Sequence, residues 1–257
     1  MKKLASLLLT LFMFGVISGC SLFTKEVDYK KIANDLNERN MDEVMHAVDG
    51  YANIRHTSFT LTSTPQSDSK VLEIKNEWVF EGVYNTNKNN AYGEGGTSKE
   101  ISVLLKNKNQ EQDLKQEDSP DYKIMYTNNQ YKVEKTGKVF NLPFLFDKLQ
   151  GIEKVKPISY SYGLDEPPSV SYKLNEREFQ KVLNDDLKIK YDQFKKATIL
   201  ISLKDREKKP YITDIIIGIQ WKKKDKNGKM INYFIDDSIF ISDNNKNTKK
   251  TYFDYKY

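Results

Sequence analysis

Residues Ile212–Ile241 read ITDIIIGIQWKKKDKNGKMINYFIDDSIFI and carry the clearest fold signal of the chain. Two long segments rich in β-branched and aromatic residues, Ile212–Trp221 and Met230–Ile241, flank the turn sequence Asp225-Lys226-Asn227-Gly228. Asn-Gly between two such segments is the strongest short-range signal for a β-hairpin. Because no helical crossover separates the two strands, they are expected to pair antiparallel.

In the rest of the chain, the alternation of apolar and polar residues predicts further strands of the same sheet. These strands are expected around Phe59, from Leu72 to Tyr84, and at Ser98–Leu105, Lys123–Tyr126, Gln130–Glu134, Ser169–Leu174 and Thr198–Leu203. The glycine-rich run Tyr92–Gly96 is predicted to be a turn. The polar stretch Lys106–Asp121 and the residues Asp243-Asn244-Asn245 are predicted to be a mobile loop and a flexible tail.

Helical spacing is confined to a few segments. Two helices, separated near Asn40, are predicted between Tyr29 and Val48, and a short helix is expected to follow Asn141-Leu142-Pro143. Asn175 and Glu178 form a capping-box pattern that opens another helix. The predicted fold class is α+β: a large curved antiparallel β-sheet with N-terminal helices and one or two short helices packed on one face. Residues 28–257 are expected to form a single globular domain.

The N-terminal residues have the pattern of an export signal. Lys2 and Lys3 precede the apolar run Leu4–Val16, whose 13 residues are too few for a spanning helix of about 20 residues but fit a signal peptide. The run leads to Ile17, Ser18, Gly19 and Cys20, and Cys20 is the only cysteine of the 257 residues. We interpret residues 1–19 as a leader and residues 20–27 as a polar tether.

Ile17-Ser18-Gly19-Cys20 resembles the bacterial lipobox. The resemblance implies that the Cys20 thiol carries diacylglycerol, with or without an added N-acyl group, and that the chain is cut just before it. Two acyl chains anchor a protein stably where one is marginal. The partner would then be the membrane, at its extracytoplasmic face. A plain signal peptide, or a signal anchor with an incidental cysteine, is the alternative.

Charge and composition limit the possible chemistry. Cleavage before Cys20 removes two lysines, which leaves 39 basic and 36 acidic residues and a net charge of +3; this is weak for a nucleic-acid-binding protein. Lysine far outnumbers arginine, which favours an AT-rich, Gram-positive source. With two histidines and one cysteine, and without any catalytic motif, we expect no catalytic residue, no metal site and no cofactor apart from the lipid on Cys20. Asp236 and Asp237 adjoin on a strand, so their side chains are expected to face opposite ways.

Three segments resemble the tandem-type lipoproteins of staphylococci and their relatives: Glu77–Tyr92, Pro168–Asn175 and Ile219–Ser238. That resemblance implies a surface-exposed lipoprotein without enzyme chemistry. A looser similarity is to the half-barrel lipid carriers of the LolA and LppX type, in which a curved antiparallel sheet encloses an acyl cavity.

Two functions follow as hypotheses. The first is a monomeric, non-enzymatic surface lipoprotein that binds a protein or a host or cell-surface partner. The second is a carrier that holds a lipid or another hydrophobic ligand between the sheet and its helices. The candidate lining residues for such a ligand are Trp78, Phe80, Phe144, Trp221 and Phe234. The simpler interpretation of these five aromatic residues is that they fill the core.

Overall fold

The computed structural model describes residues 50–105, 110–127, 130–140, 145–161, 169–206, 209–242 and 247–257. The leader, the lipobox with Cys20, the tether and the two predicted N-terminal helices lie outside these residues, as does Phe144.

Twelve strands of the described chain form one open antiparallel sheet. The strands are β1 (Tyr51–Ser67), β2 (Lys70–Asn85), β3 (Asn90–Leu105), β4 (Gln110–Asp118), β5 (Tyr122–Thr127), β6 (Gln130–Val133), β7 (Val139–Phe140), β8 (Ser159–Ser161), β9 (Ser169–Leu174), β10 (Gln193–Arg206), β11 (Lys209–Lys224) and β12 (Met230–Ser242). Their order across the sheet is β7-β6-β5-β3-β2-β1-β12-β11-β10-β9-β8, and β4 pairs with β3 beside β5. The large antiparallel sheet predicted from the sequence is confirmed.

Successive side chains of each strand point to opposite faces of this sheet. One row across four central strands consists of Ile217, Asp237, Ser58 and Trp78. We call the face that carries this row the inner face. The opposite side is the outer face, where Phe59 pairs with Asp236.

The main hydrophobic core lies against the inner face. Two 3-10 helices, Leu145–Lys148 and Ile152–Lys154, supply Leu145 and Ile152 to this core, and Leu149 of the segment between them joins them; all three side chains are fully buried. A helical segment consisting of α1 (Glu176–Phe179), a π-helical turn (Gln180–Asn184) and α2 (Asp185–Leu187) packs there as well. Removal of this apolar surface from water is the main stabilising contribution to such a fold.

Local predictions are confirmed where turn and cap chemistry is strong. At the start of α1, the Glu178 backbone N–H donates to Asn175 Oδ1 over 3.0 Å, and the Asn175 backbone N–H donates to Glu178 Oε2 over 2.9 Å. Between β11 and β12, Gly228 has a φ of +76°, a left-handed conformation that glycine adopts without a steric penalty.

The prediction of a turn at Tyr92–Gly96 is wrong, because these residues belong to β3. Gly93 lies opposite Gly82 of β2, and a Cβ atom on Gly93 would stand 2.0 Å from the carbonyl oxygen of Glu81. The glycines therefore allow two backbones to approach closely within a strand pair, which is a known role of glycine in sheets.

The prediction of a mobile loop over Lys106–Asp121 is also wrong for residues 110–118. They form β4, which pairs with β3 from Leu105↔Gln110 to Ser98↔Asp118. Main-chain hydrogen bonds hold this edge strand, and its side chains remain polar or exposed, so the hydrophobic pattern gave no signal. Leu114, its one large apolar residue, is 55% exposed.

The C-terminal residues contain a helix that the sequence pattern did not predict. Helix α3 (Thr248–Lys256) packs on the outer face, where the buried Tyr252 ring contacts Tyr51 and Tyr92 at centroid distances of 5.2 and 5.3 Å. The Tyr252 hydroxyl donates to Asn90 Oδ1 over 2.8 Å. Helices therefore lie on both faces, and the expectation of helices on one face is corrected. The predicted tail Asp243-Asn244-Asn245 lies outside the described residues.

Candidate binding groove on the inner face

A groove of about 580 Å³ opens on the inner face over β1, β2, β3 and the end of β4. This volume lies within the range of about 300–1,000 Å³ that is usual for small-molecule sites. The groove lies at the edge of β3, between the end of β4 and the start of β5, which pair with different parts of β3. There the Ser119 backbone N–H donates to the Thr97 carbonyl, and the Thr97 backbone N–H donates to Ser119 Oγ, both over 2.8 Å. The groove is lined by Ser58, Phe59, Thr60, Asn76, Glu77, Trp78, Thr97, Ser98, Lys99, Glu117, Asp118 and Ser119.

Ser58 is the most unusual of the residues that line this groove. The residue is 2% exposed, and its Oγ atom has no hydrogen-bond partner among the described residues. Its cross-strand neighbours on the inner face are Asp237 and Trp78. A buried hydroxyl of this kind is costly to leave unsatisfied and therefore indicates a position where an external polar group could bind.

The groove continues along the inner face into a strip of half-buried apolar side chains, which we call the apolar strip. In the strand register Ile74 lies opposite Ile101, and Leu72 lies opposite Val103. All four side chains are partly exposed. The groove and the apolar strip together form a surface that is polar at one end and apolar at the other.

Opposite charges on the groove wall are paired. Glu117 lies opposite Lys99 in the strand register of the inner face and forms an ion pair with Lys115. The hydrogen bond from Lys115 lowers the pKa of Glu117, and the positive charges of Lys115 and Lys99 lower it further. Glu77 belongs to the row of Phe59, so its carboxylate points to the outer face, where it lies 2.8 Å from Lys75 Nζ.

Directly beside the groove, the sheet buries an ionisable pair. His56 and Asp237 are 0% and 2% exposed, and His56 Nε2 lies 2.6 Å from Asp237 Oδ1. The other ring nitrogen, Nδ1, lies 2.7 Å from the Tyr131 hydroxyl. The Leu145 backbone N–H donates to the second carboxylate oxygen of Asp237 over 2.8 Å. This network connects β1, β6 and β12 to the first 3-10 helix.

Although Ser58, His56 and Asp237 are neighbours, they do not form a catalytic triad. A triad requires the histidine to accept the proton of the serine hydroxyl while the carboxylate orients the other ring nitrogen. Here Tyr131 and Asp237 occupy both nitrogens of His56, and Ser58 bonds to neither. We therefore interpret the His56–Asp237 pair as a structural connection.

Asp236 lies on the outer face, as expected for a residue next to Asp237 on a strand. Burial raises the pKa of Asp236, and the negative charge of Asp237 raises it further. The Ser238 hydroxyl donates to Asp236 Oδ1 over 2.7 Å and acts in the opposite direction, lowering the pKa. The two carboxylates face different environments and do not form one site.

The structure separates the residues predicted to line a hydrophobic cavity. Trp78, Phe80 and Trp221 face inward, but they are only 1%, 0% and 8% exposed and are packed into the core. Phe234 lies on the outer face, where its ring contacts Phe59 at 5.5 Å. Of the four members of the predicted set that the structure describes, only Trp78 also lines the groove.

Sequence reasoning missed Ser58 and the buried network. His56 and Asp237 are 181 positions apart in the chain, so only the pairing of β1 with β12 brings them together. For Ser58 the signal was weak but present, since its inward direction follows from the alternation with Phe59 and Leu61 on β1.

Among the described residues no helix is both long and apolar enough to cross a membrane. Within the same residues, no group of three or more His, Cys, Asp or Glu side chains is placed to hold a metal ion.

Comparisons with known proteins give little that bears on function. Residues 15–118 match a family described as a domain of unknown function (DUF3952). None of the curated proteins matches the chain.

Two solved structures are similar to parts of the fold. The first, entitled lipid-protein interactions in lipovitellin, has 8% identity and a TM-score of 0.40 over 75% of this chain and 25% of that one. The second, a LolA superfamily protein from Nitrosomonas europaea, has 10% identity and a TM-score of 0.19 over 84% of this chain and 96% of that one. The chain thus spans a quarter of the length of lipovitellin. A proposal for function therefore has to rest on the residues of the groove.

Proposed function

We propose that this protein is a lipid-anchored, non-enzymatic binding protein of the extracytoplasmic membrane face, and that it holds an amphiphilic ligand in the inner-face groove. The observation that carries the binding function is the buried Ser58 hydroxyl, which lacks a partner among the described residues and lines a groove that continues into the apolar strip. This refines the second sequence hypothesis, because the ligand would lie beside the packed core and not between the sheet and the helices.

The anchor is supported by the sequence pattern. Lys2, Lys3 and the apolar run up to Val16 precede Ile17-Ser18-Gly19-Cys20. Ser18 and Gly19 are small, so a peptidase can approach the backbone, and the Cys20 thiol is the nucleophile needed to form a thioether with diacylglycerol. In a Gram-positive cell this would place the described domain outside the membrane.

Metabolic labelling tests the anchor. Cells that express the full chain are fed an alkyne-bearing fatty acid, and label on the protein is compared with that on a Cys20→Ala variant. We expect label and a shortened chain in the membrane fraction for the wild type, and neither for the variant. Equal labelling of both proteins would refute the anchor.

The binding function is tested by titrating an uncharged polarity-sensitive dye, Nile red, into a fragment of residues 21–257. This fragment retains every element that the structure describes. We expect saturable binding at one site, weakened at least ~10-fold by Ile74→Asp in the apolar strip, since a carboxylate there must be desolvated when the dye binds.

The matched control for this experiment is Leu61→Asp. Leu61 is a half-buried apolar residue at an adjacent position of the same strand pair, but its side chain points to the outer face. It is expected to leave dye binding unchanged. Absence of saturable binding, or an equal loss in the two variants, would contradict a ligand site on the inner face.

Binding of a protein or host-surface partner is the second candidate function, and one feature of the outer face favours it. Phe240 is 43% exposed and lies in a depression of about 520 Å³ beside α3, together with Arg55 and Tyr255. Exposed aromatic residues of this kind are typical of interaction surfaces. A photo-crosslinking residue at position 240 would form an adduct of defined mass on intact cells, and the same residue at position 74 would not. Adducts at position 74 alone would count against this candidate.

A further inference from the structure

The chemistry of the groove also indicates the class of ligand, and this inference rests on the proposed binding function. We propose that the groove binds an uncharged amphiphile whose headgroup is rich in hydroxyl groups, such as a sugar or a glycerol unit. One headgroup hydroxyl exchanges a hydrogen bond with Ser58 Oγ, and the alkyl chain lies along the apolar strip.

The unpaired hydroxyl of Ser58 indicates a ligand that carries hydroxyl groups. Its neighbour across the strand, Asp237, accepts hydrogen bonds from His56 and from the Leu145 backbone, and Ser58 Oγ bonds to neither of its oxygens. A hydroxyl can donate one hydrogen bond and accept two. A ligand hydroxyl is matched to such a group, since it can act as either donor or acceptor.

The charges of the inner face also favour a neutral headgroup. Of the charged lining residues, Lys99 and Glu117 face the groove; they lie opposite each other in the strand register, and Glu117 also pairs with Lys115. The side chains of Glu77 and Asp118 belong to the row of Phe59 and point to the outer face. A charged headgroup of either sign would meet a like charge at this wall, either Glu117 or Lys99. An uncharged headgroup avoids that repulsion.

The surface that a bound molecule would contact changes from polar to apolar along the inner face. The other polar side chains of the lining are neutral and include Thr60, Asn76 and Thr97, which suits a headgroup that carries several hydroxyls. One step further along the inner face the surface becomes apolar, at Ile74 and Ile101. The ligand should therefore carry both parts, a polyhydroxyl headgroup and an alkyl chain.

A set of four octyl or sugar probes tests this inference on the fragment of residues 21–257 by isothermal titration calorimetry below the micelle concentration. Octyl glucoside carries both parts, and methyl glucoside carries the sugar alone. Octyl phosphate and octyltrimethylammonium carry the chain with a negative or a positive headgroup. We expect octyl glucoside to bind at least ~10-fold more tightly than each of the other three.

Ser58→Ala provides the decisive variant, with Ser202→Ala as its control. Ser202 is a buried serine of the same sheet whose hydroxyl donates to Asp214 on the outer face over 2.8 Å. Loss of one hydrogen bond corresponds to about 1 kcal/mol, or roughly a 5-fold loss of affinity. We expect that loss for octyl glucoside with Ser58→Ala and no change with Ser202→Ala. Circular dichroism verifies that both variants are folded.

The outcomes separate this inference from the proposed function on which it rests. If none of the three octyl compounds binds the wild type, the proposed function fails. If octyl phosphate or octyltrimethylammonium binds as tightly as octyl glucoside, or if Ser58→Ala has no effect, only the ligand class is overturned. Equally tight binding of methyl glucoside would overturn the amphiphile and indicate a free saccharide.

Discussion

If the Ser58 hydroxyl is unpaired until a ligand binds, its removal should stabilise the ligand-free protein. In the described structure this hydroxyl is buried and has no partner, and an unsatisfied buried hydroxyl costs about 1–3 kcal/mol. Alanine removes that cost but gives up part of the strand preference, on a scale that spans about 1 kcal/mol. We therefore expect Ser58→Ala to raise the free energy of unfolding by about 1 kcal/mol.

The assay is urea denaturation of the delipidated fragment of residues 21–257, followed by circular dichroism at neutral pH. The control is again Ser202→Ala, because Ser202 donates to Asp214. Its removal should lower the free energy of unfolding by about 1–2 kcal/mol. A second measurement adds octyl glucoside at ten times its wild-type dissociation constant, which should stabilise the wild type by about 1.4 kcal/mol and a 5-fold weaker variant by about 0.7 kcal/mol.

If Ser58→Ala destabilised the free protein as much as Ser202→Ala does, the Ser58 hydroxyl would have a hydrogen-bond partner in the free protein. A ligand at this position would then be excluded.

Three further predictions concern the sheet that holds the groove. Asp237→Ala leaves His56 buried without its carboxylate partner and should lower the free energy of unfolding by about 3 kcal/mol. Asp254→Ala removes an exposed carboxylate and should change it little. Equal urea midpoints for the two variants would show that the His56–Asp237 pair does not stabilise the fold. Gly93→Ala places a Cβ atom 2.0 Å from a backbone oxygen and should lower the free energy of unfolding by about 3 kcal/mol. Gly137 has open space around it but a φ of +63°, so Gly137→Ala should lower it by only about 1 kcal/mol. A lower melting temperature for Gly137→Ala than for Gly93→Ala would contradict a close approach of the backbones at Gly93. Because folding raises the pKa of Asp236, the folded state retains a proton that the unfolded state has lost. The free energy of unfolding should therefore fall as the pH rises above the ordinary pKa of aspartate, about 4. Asp236→Asn should remove that part of the pH dependence, and the same profile for variant and wild type in urea titrations from pH 3 to 7 would exclude a contribution from Asp236.

Much of the sheet could be predicted from the sequence because its signals are local. The alternation in Ile212–Ile241, the Asn227-Gly228 turn and the Asn175 cap each act within a few residues, and the structure contains all three. Two segments were misjudged because their strands are stabilised by contacts with a partner strand. Gly93 has no Cβ atom, so β3 can approach β2 closely at this position. Strand β4 has almost no apolar residue and is held by main-chain hydrogen bonds to β3.

The candidate site was less predictable, because it depends on which distant residues the strand register brings together. His56, Tyr131 and Asp237 come from β1, β6 and β12. The residues predicted to line a ligand cavity were large aromatic residues. Side chains of this kind usually fill the core, as Trp78 and Phe80 do. The polar groove beside these residues carries no sequence motif. The observation that points to a ligand there is the buried Ser58 hydroxyl, which only the structure shows.

The proposed ligand site is best tested by a crystal structure of the fragment of residues 21–257 with octyl glucoside bound. We expect a sugar ring in the inner-face groove, with one of its hydroxyls within hydrogen-bond distance of Ser58 Oγ and the octyl chain against Ile74 and Ile101. A ligand bound elsewhere, or a groove that remains empty at saturating octyl glucoside, would contradict the proposed site.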